Sequence, residues 1–293
     1  MPELPEVETV RKGLTQHLQN FYINHVEVCR ERAIASGGGA SIFIDNMTGK
    51  YVGRWYRRGK FLIASMFEKE ELESIKKIKR KHTNNGWWVI HLRMTGQFIF
   101  LTELDQPCSH TRVRFWNEKG HELRFVDTRS FGQMWWVPPQ NKPEEIISGL
   151  NKLGPEPFSA NFNPAYLIEK LRGKSRSIKS ALLDQSVVAG TGNIYADESL
   201  FMAGISPQKK AGELTSKEVE RLCQSLVKIL KISIGAGGTT FSSFRDIEGV
   251  NGKYGGQAWV YGRVNKPCRK CGSKIKKIKL TGRGTHWCPY CQK

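Results

Sequence analysis

Four cysteines near the end of the sequence constrain its fold more tightly than any other feature. They form two pairs, Cys268-x2-Cys271 and Cys288-x2-Cys291, with sixteen residues between the pairs. Four thiolates on two such tight turns fill the tetrahedral coordination of a zinc ion and leave no position for a catalytic water. We therefore expect one structural zinc ion in a zinc ribbon, a segment too small to fold around a hydrophobic core of its own.

Positive charge is the second constraint. The 293 residues include 46 Lys and Arg against 27 Asp and Glu, which gives a formal net charge of +19. An excess of this size favours a polyanionic partner, either nucleic acid or an anionic membrane surface. No acidic residue follows Glu248, whereas eleven Lys and Arg do. Five of them lie between the cysteine pairs, on a predicted two-stranded hairpin that would present them to phosphate groups: Lys274, Lys276, Lys277, Lys279 and Arg283.

The sequence shows no sign of membrane insertion or secretion. No apolar stretch approaches the roughly 20 residues that span a bilayer, and the acidic start of the chain lacks the basic and apolar regions of a signal peptide. The other three cysteines, Cys29, Cys108 and Cys223, are scattered singly, so a disulfide framework is not expected. We expect a soluble, cytoplasmic and monomeric protein without a membrane partner.

The spacing of apolar residues changes along the chain and predicts an α+β fold. Apolar residues recur about once per helical turn in 5–18, which predicts an early amphipathic helix. Short segments rich in β-branched and aromatic residues then predict eight strands in a β-sandwich or a barrel-like layer: His25–Cys29, Tyr51–Tyr56, Lys60–Met66, Trp87–Leu92, Gln97–Leu101, Arg112–Trp116, Glu122–Val126 and Gln133–Val137. In Glu122–Val126 the apolar residues alternate with polar ones, as in a strand with one buried face.

Six prolines from residue 138 to residue 164 mark a linker, and the pattern beyond it is helical. Thr215 and Glu218 form a capping box before the last helix, and Gly235 stands where its C-terminal cap belongs. The predicted helices are Ala165–Arg172, Ile178–Asp184, Ile194–Ala203 and Lys217–Ile234. We therefore predict four regions: a β-sandwich domain at 1–137, a linker at 138–164, a helical domain at 165–250 and the zinc ribbon at 251–293.

Residues 68–85 interrupt the strand pattern. The first half of this segment is acidic and the second half is basic, with almost nothing to bury. We predict a long solvated surface loop, with a contact to nucleic acid as the alternative.

The first residues offer a candidate nucleophile. Removal of Met1 would expose the secondary amine of Pro2, and α-amino groups titrate near about 7.7–8.0, so a fraction is nucleophilic at neutral pH. Attack of this amine on C1′ of a sugar forms an iminium ion, and Glu3 could protonate a leaving or ring oxygen. Pro and Glu are also common in the first turn of an ordinary helix. The run alone therefore does not establish this chemistry.

Several motifs in combination carry a family resemblance over essentially the whole chain. They are Pro2-Glu-Leu-Pro-Glu-Val-Glu8-Thr-Val, His91-Leu-Arg-Met-Thr-Gly96, Asp127-Thr-Arg-Ser-Phe-Gly132, Gly190-Thr-Gly-Asn-Ile-Tyr-Ala196, Gly237-Gly-Thr-Thr240 and the four-cysteine ribbon. In this order they resemble the bacterial formamidopyrimidine-DNA glycosylase family. The resemblance implies a helix and β-sandwich domain, a helix–two-turn–helix domain and a C-terminal zinc ribbon.

The resemblance also implies an activity. A member of this family is expected to be a bifunctional DNA glycosylase and AP lyase, which excises oxoguanine and formamidopyrimidines from damaged double-stranded DNA and cuts the strand by β,δ-elimination. No redox or nucleotide cofactor is expected. By the same resemblance Pro2 is the Schiff-base nucleophile, and Glu3 is the acid that helps to open the deoxyribose. Lys60 is the proton donor in β-elimination, Arg283 serves δ-elimination, and Glu6 is an acid of the substrate pocket.

Further residues are implied as DNA contacts. Asn193 and His110 are expected to contact DNA, as is Lys179, for which Lys174 is a competing candidate. Three side chains fill the space left when the damaged base leaves the stack: Met94, Arg129 and Phe131. Arg129 is also expected to read the opposite cytosine.

Two other functions remain open. The first is excision of oxidised pyrimidines on the same scaffold. The N-terminal run argues for purines, as does Thr239–Gly256, a candidate loop over the base. The second is a non-catalytic zinc-ribbon module that binds DNA. A nucleotide-binding interpretation of Gly190–Gly192 and Gly235–Gly238 is rejected, because neither follows a strand with the required spacing or has a Walker lysine.

Overall fold

The structure is a computed structural model that describes residues 1–68, 85–103, 105–240 and 245–293. Its internal contacts divide the chain into two units. The first unit contains Met1–Pro2, Glu6–Asn151 and Ser242–Gly252, and the second contains Glu3–Pro5, Lys152–Phe241 and Lys253–Lys293. Apart from its two end residues, the predicted surface loop at 68–85 lies outside the described residues, and the four predicted regions stay a prediction.

The first unit is a β-sandwich, as predicted. Its strands are β1 His25–Val28, β2 Tyr51–Arg58, β3 Phe61–Phe67, β4 Trp87–His91, β5 Gly96–Leu101, β6 Thr111–Trp116, β7 Glu122–Asp127 and β8 Gln133–Val137. One sheet has the order β1-β6-β7-β5 and the other β2-β3-β4-β8. Aromatic rings join them, since the ring centroid of Trp88 in β4 lies 4.5 Å from that of Phe115 in β6 and 6.1 Å from that of Phe98 in β5.

Within the described part of this unit, four helices accompany the sandwich: α1 Leu4–His17, α2 Gly39–Met47, α3 Pro143–Ile146 and α4 Ser148–Asn151. Helix α1 matches the predicted amphipathic helix, and its apolar residues from Val7 onward pack into the sandwich core. Helix α2 was not predicted from the sequence. Helices α3 and α4 occupy part of the segment that the prolines mark as a linker.

The strand β7 corrects one prediction. The alternation of Leu123 and Phe125 predicted one buried face, but all six residues of β7 are buried. The strand lies between β6 and β5, and its polar face is covered because the Arg124 guanidinium donates to the carbonyl oxygen of Asp105 at 2.8 Å. Arg124 Nε also lies 2.7 Å from Glu122 Oε1, so the buried polar face is an ion pair.

The second unit contains the predicted helices: α5 Pro164–Leu171, α6 Ile178–Leu183, α7 Asn193–Ala203 and α8 Ser216–Gly235. The capping box before α8 is confirmed, because Thr215 N donates to Glu218 Oε2 at 2.9 Å and Glu218 N donates to Thr215 Oγ1 at 3.3 Å. The predicted cap at Gly235 is wrong. Gly235 is the last helical residue, and the left-handed conformation that ends the segment falls on Gly237 and Gly238.

The end of the chain forms the predicted hairpin, with strands β9 Lys276–Leu280 and β10 Arg283–Trp287. Thr281 and Gly282, both with positive φ, form the two-residue turn between them. The five predicted cations of this region are all exposed. Within residues 1–68, 85–103, 105–240 and 245–293, no helix is sufficiently long and apolar to cross a membrane.

Candidate active site

The start of the chain is anchored on the first turn of α7. Glu3 is 2% exposed, and its carboxylate accepts the backbone N–H groups of Ile194 and Tyr195 at 3.0 and 3.4 Å. Unpaired amides at a helix N-terminus favour a negative charge. The backbone N–H of Leu4 donates to the carbonyl oxygen of Gly190 at 3.1 Å. Glu3 and Leu4, which follow the candidate nucleophile Pro2, are therefore held in place by hydrogen bonds.

Two glycines make this anchoring possible. A Cβ atom at Gly192 would lie 2.2 Å from Cδ of Glu3, and one at Gly190 would lie 2.6 Å from Cδ1 of Leu4. Gly190 also has φ of +84°, where a side chain is strained. The glycine-rich turn thus receives the N-terminal segment, which explains its composition without a nucleotide.

Lys60 lies in the turn between β2 and β3 and is 7% exposed. The Arg57 guanidinium supports this turn, since it donates to the carbonyl oxygen of Gly59 and to Glu8 Oε2, each at 3.0 Å. Burial raises the pKa of Glu8, but hydrogen bonds and charges from Arg11 and Arg57 outweigh it and hold that pKa below its usual value. A charged Glu8–Arg57 pair therefore positions the turn that carries Lys60.

Two further predicted site residues, Pro2 and Glu6, are buried and belong with Lys60 to the first unit. Glu6 lies in the first turn of α1. Glu3 and Arg283 belong to the second unit. Two of the four predicted catalytic residues thus belong to each unit.

The three predicted void-filling residues lie on two turns of the first unit. Met94 is half-buried between β4 and β5, whereas Arg129 and Phe131 are exposed between β7 and β8. The Phe131 ring centroid lies 4.8 Å from the guanidinium carbon of Arg129 and 5.7 Å from that of Arg32. An exposed ring flanked by cations suits contact with stacked bases and phosphates. His110 is exposed just before β6.

The predicted phosphate contacts of the second unit differ in exposure. Lys174 is exposed, and so is Arg283 at the start of β10. Lys179 is 1% exposed, and its Nζ lies 2.7 Å from Asp197 Oδ1. Burial lowers the pKa of Lys179, although the nearby Asp197 opposes this shift. Of the two lysines, Lys174 therefore has the more accessible cation.

Buried polar contacts fasten the β10 strand to the helices. The carbonyl oxygen of Gly284, which follows Arg283, accepts hydrogen bonds from Nζ of Lys179 and Nδ2 of Asn193, each at 3.0 Å. Asp197 Oδ2 accepts the backbone N–H of His286 at 2.8 Å. Asn193 and Lys179 thus hold the backbone next to Arg283 in place.

The four cysteines of the ribbon fit a zinc ion. Their Sγ atoms all lie within 4.8 Å of one another, with 3.9 Å between Cys268 and Cys291 and 3.5 Å between Cys271 and Cys288. Zn–S bonds of about 2.3 Å place tetrahedral thiolates about 3.8 Å apart. The predicted ligand set is therefore assembled, and the zinc ion is structural, because four protein ligands complete its coordination.

Sequence reasoning missed the acidic residues that organise the site. Asp127, Asp197 and Glu198 are each completely buried. The Glu198 carboxylate accepts the backbone N–H groups of Trp259, Val260 and Tyr261 at 2.8–2.9 Å, and burial raises its pKa although these hydrogen bonds oppose the shift. All three lie in segments that the sequence singles out, but each has partners that are distant in sequence, such as Thr95 for Asp127. For Asp197 and Glu198, the available signal was an acidic residue within a predicted helix that is otherwise largely apolar.

Family models match three parts of the chain. Residues 1–134 match the formamidopyrimidine-DNA glycosylase N-terminal domain, residues 153–245 match the H2TH domain of the same enzyme, and residues 265–293 match the zinc finger found in FPG and IleRS.

Full-length relatives agree with these matches. Formamidopyrimidine-DNA glycosylases of Prochlorococcus marinus strain MIT 9313 and Parasynechococcus marenigrum strain WH8102 are 61% and 60% identical, with all of both chains covered. Among solved structures, a Lactococcus lactis FPG mutant in complex with Fapy-dG containing DNA has a TM-score of 0.87 and 32% identity over 100% of both chains. The Lactococcus lactis Fpg complex with abasic site containing DNA has a TM-score of 0.86 and 32% identity over 99% of both. With its fold, cysteine cluster and anchored Pro-Glu start, the chain belongs to the formamidopyrimidine-DNA glycosylase family.

Proposed function

We propose that the protein is a bifunctional DNA glycosylase and AP lyase that removes oxidised purines from double-stranded DNA in base excision repair. The observation that carries this proposal is the anchored chain start, where Glu3 binds the first turn of α7 at 3.0 Å from Ile194 N. The solved complexes of the Lactococcus lactis relative with Fapy-dG and abasic-site DNA support the same substrates here. We also infer a monomeric, cytoplasmic protein.

The proposed chemistry begins at Pro2. After removal of Met1, the amine nitrogen attacks C1′ of the damaged nucleotide, and the bond from C1′ to the base breaks while the base gains a proton. The amine loses its proton and the C1′–O4′ bond of the sugar breaks, which leaves an iminium ion that withdraws electrons from the sugar. Loss of the C2′ proton then expels the 3′ phosphate, and loss of the C4′ proton expels the 5′ phosphate. Glu3, beside the nucleophile, protonates the ring oxygen as the sugar opens.

The remaining residues are proposed to bind and position the DNA. Lys60 donates a proton in β-elimination, and Arg283 contacts phosphate and serves δ-elimination. The proposed sequence-independent contacts are Lys174, Asn193 and His110, and Glu6 lines the substrate pocket. Lys179, the buried alternative to Lys174, is proposed to support the backbone beside Arg283. Extrusion of a base costs a few kcal/mol, and Met94, Arg129 and Phe131 offset part of that cost by filling the gap. Bound zinc folds the ribbon that carries Arg283.

Excision and trapping together test the proposal. Purified protein is incubated with duplexes that contain oxoguanine opposite cytosine, thymine glycol, or no lesion, and with a preformed abasic duplex plus borohydride. We expect oxoguanine release, cleavage with phosphates at both ends of the gap, and a covalent adduct whose peptide begins at Pro2. A chain with an added residue before Pro2 serves as control and should bind DNA without forming the adduct.

Two results would contradict the proposal. Preference for thymine glycol would assign the protein to oxidised pyrimidines, an alternative kept open by the solved complex of Lactococcus lactis FPG with an oxidized pyrimidine containing DNA. Binding without any trapped adduct would instead leave a non-catalytic zinc-ribbon protein.

A further inference from the structure

One buried carboxylate connects the two turns that carry Met94, Arg129 and Phe131. Asp127 is 0% exposed. Its Oδ1 accepts the hydroxyl of Thr95 and, at 3.1 Å, the backbone N–H of Arg129. Its Oδ2 accepts the backbone N–H of Gly132 at 2.7 Å. The Asp127 side chain therefore holds the residue after Met94 and residues on both sides of Phe131.

Thr95 closes this network. Its Oγ1 donates to Asp127 and accepts the backbone N–H of Arg129 at 3.1 Å. One hydroxyl on the Met94 turn is thus bonded to a backbone amide and a carboxylate on the Arg129 turn. The two turns are 32–34 residues apart in sequence and are joined through these atoms.

The backbone of Asp127 extends the network to a third segment. Its N–H donates to the carbonyl oxygen of His110 at 2.9 Å. Its carbonyl oxygen accepts Nε of Arg112 at 2.8 Å, and another nitrogen of the same guanidinium donates to Ser109 at 3.0 Å. The segment before β6, which carries His110, is therefore fixed to the same residue.

The two turns need such support because their backbones are strained. Arg93 and Ser130 each have φ of +53°, a conformation that residues other than glycine rarely adopt. A Cβ atom at Gly132 would lie 2.5 Å from Phe125 Cζ, so the chain turns tightly against the core. Hydrogen bonds to a buried carboxylate stabilise this arrangement before any DNA binds.

We propose that Asp127, with Thr95, is a positioning residue that holds Met94, Arg129 and Phe131 in one arrangement ready to replace an extruded base. This inference rests on the proposed glycosylase function. It predicts different effects on base excision and on strand cleavage at an abasic site. Excision requires the lesion base to leave the stack, whereas an abasic site has no base to extrude. Loss of the carboxylate should therefore slow base excision much more than strand cleavage at a preformed abasic site.

The test compares four variants in single-turnover reactions. Asp127→Asn keeps the size of the side chain, but either amide orientation points an NH2 group at a backbone N–H donor. Thr95→Val removes the connecting hydroxyl and Thr95→Ser keeps it. Glu122→Gln neutralises another buried carboxylate at the opposite end of β7 and serves as the matched control.

We expect Asp127→Asn and Thr95→Val to slow oxoguanine excision about tenfold or more, with abasic-site cleavage near the wild-type rate. 2-Aminopurine placed beside the lesion should show a smaller fluorescence rise, because insertion is impaired. Thr95→Ser and Glu122→Gln should match the wild type. If Asp127→Asn does not fold, as judged by circular dichroism, the two Thr95 variants decide.

Three outcomes would overturn the inference. The first is wild-type excision by folded Asp127→Asn or, where that variant does not fold, by Thr95→Val. The second is an equal loss of excision and abasic-site cleavage with an unchanged 2-aminopurine signal, which would place the defect in a step common to both reactions and not in insertion. The third is failure of the wild-type protein to excise or to trap, which overturns the proposed function first and this inference with it.

Discussion

His91, at the end of β4, is a titratable group that the fold keeps neutral. Its Nδ1 accepts the backbone N–H of Arg93 at 2.9 Å, next to the strained turn that carries Met94. Burial, and then the charges of Arg93 and Lys60, lower the pKa of His91 from 6.5 to about 3. Protonation would break this hydrogen bond and place a cation beside two others.

This pKa predicts how stability changes with pH. Between pH 6.5 and about 3 the unfolded chain binds a proton at His91 that the folded chain does not. Acidification should therefore lower the free energy of unfolding by up to about 1.4 kcal/mol per pH unit through this residue. His91→Asn, whose Oδ1 can accept the same N–H, should lose less stability from pH 6.5 to 4.5 in urea unfolding. Equal losses would show that His91 titrates in the folded protein as it does in the unfolded chain.

The contact between Gly192 and Glu3 leads to a second prediction at the residue scale. Its missing side chain leaves room for Glu3, since a Cβ would lie 2.2 Å from Glu3 Cδ. Gly192→Ala should displace the Glu3 carboxylate and slow excision about tenfold or more, because small displacements at a reacting centre have large effects on rate. Gly235→Ala is the control, since a Cβ there meets nothing within 4 Å. Single-turnover excision and DNA affinity measured together would distinguish displacement of Glu3 from loss of binding. Unchanged excision would exclude the anchoring role.

Elements with a strong local pattern could be predicted from the sequence. The eight strands and the four helices of the second unit follow from periodicity, and the Thr215–Glu218 box marks the start of α8 because its partners are three residues apart. Helix α2 was missed because it begins after glycines, has no side-chain cap, and leaves Ile42 46% exposed. Its formation depends on packing of Phe43 and Met47 against the sandwich core.

The candidate site could be predicted only in part. The residue type and spacing of the four cysteines identify them, whereas Pro2 and Glu3 are identified through the family resemblance of the motifs. The buried carboxylates that fix the surrounding turns and strands have partners distant in sequence: Asp127 binds Thr95, and Asp197 binds Lys179 and the backbone of His286. No local periodicity encodes such pairs. Lys179, which was expected to contact DNA, is buried because it pairs with Asp197.

The ion pair between α6 and α7 leads to a prediction at the element scale. Lys179 and Asp197 are 1% and 0% exposed, and removal of one partner leaves the other charge buried. Asp197→Asn should therefore lower the free energy of unfolding by about 3–5 kcal/mol. The double variant Lys179→Met with Asp197→Leu should recover much of this loss in chemical denaturation. If Asp197→Asn has the same free energy of unfolding as the wild type, the Lys179–Asp197 pair does not stabilise the attachment of β10.

Charge is the property of the whole molecule that the function uses most directly. The net charge of +19 gives affinity for any DNA sequence, which an enzyme that searches for rare lesions requires. Such binding weakens with salt in proportion to the number of phosphates contacted. The slope of log affinity against log salt concentration therefore counts the contacts and can identify which cations make them.

Arg283 and Lys174 are exposed cations of the second unit, whereas Lys179 is buried. Arg283→Ala and Lys174→Ala should each reduce the magnitude of the salt slope by about 0.9, the value for one phosphate contact on duplex DNA. Lys179→Met should leave the slope unchanged even where it weakens binding, because its ammonium neutralises Asp197 and no phosphate. Lys228→Ala, at an exposed lysine of α8 outside the proposed contacts, is the control. Fluorescence anisotropy from 50 to 300 mM salt provides the measurement. A slope reduced by Lys179→Met would mean that the ion pair opens on DNA and that Lys179 becomes the phosphate contact.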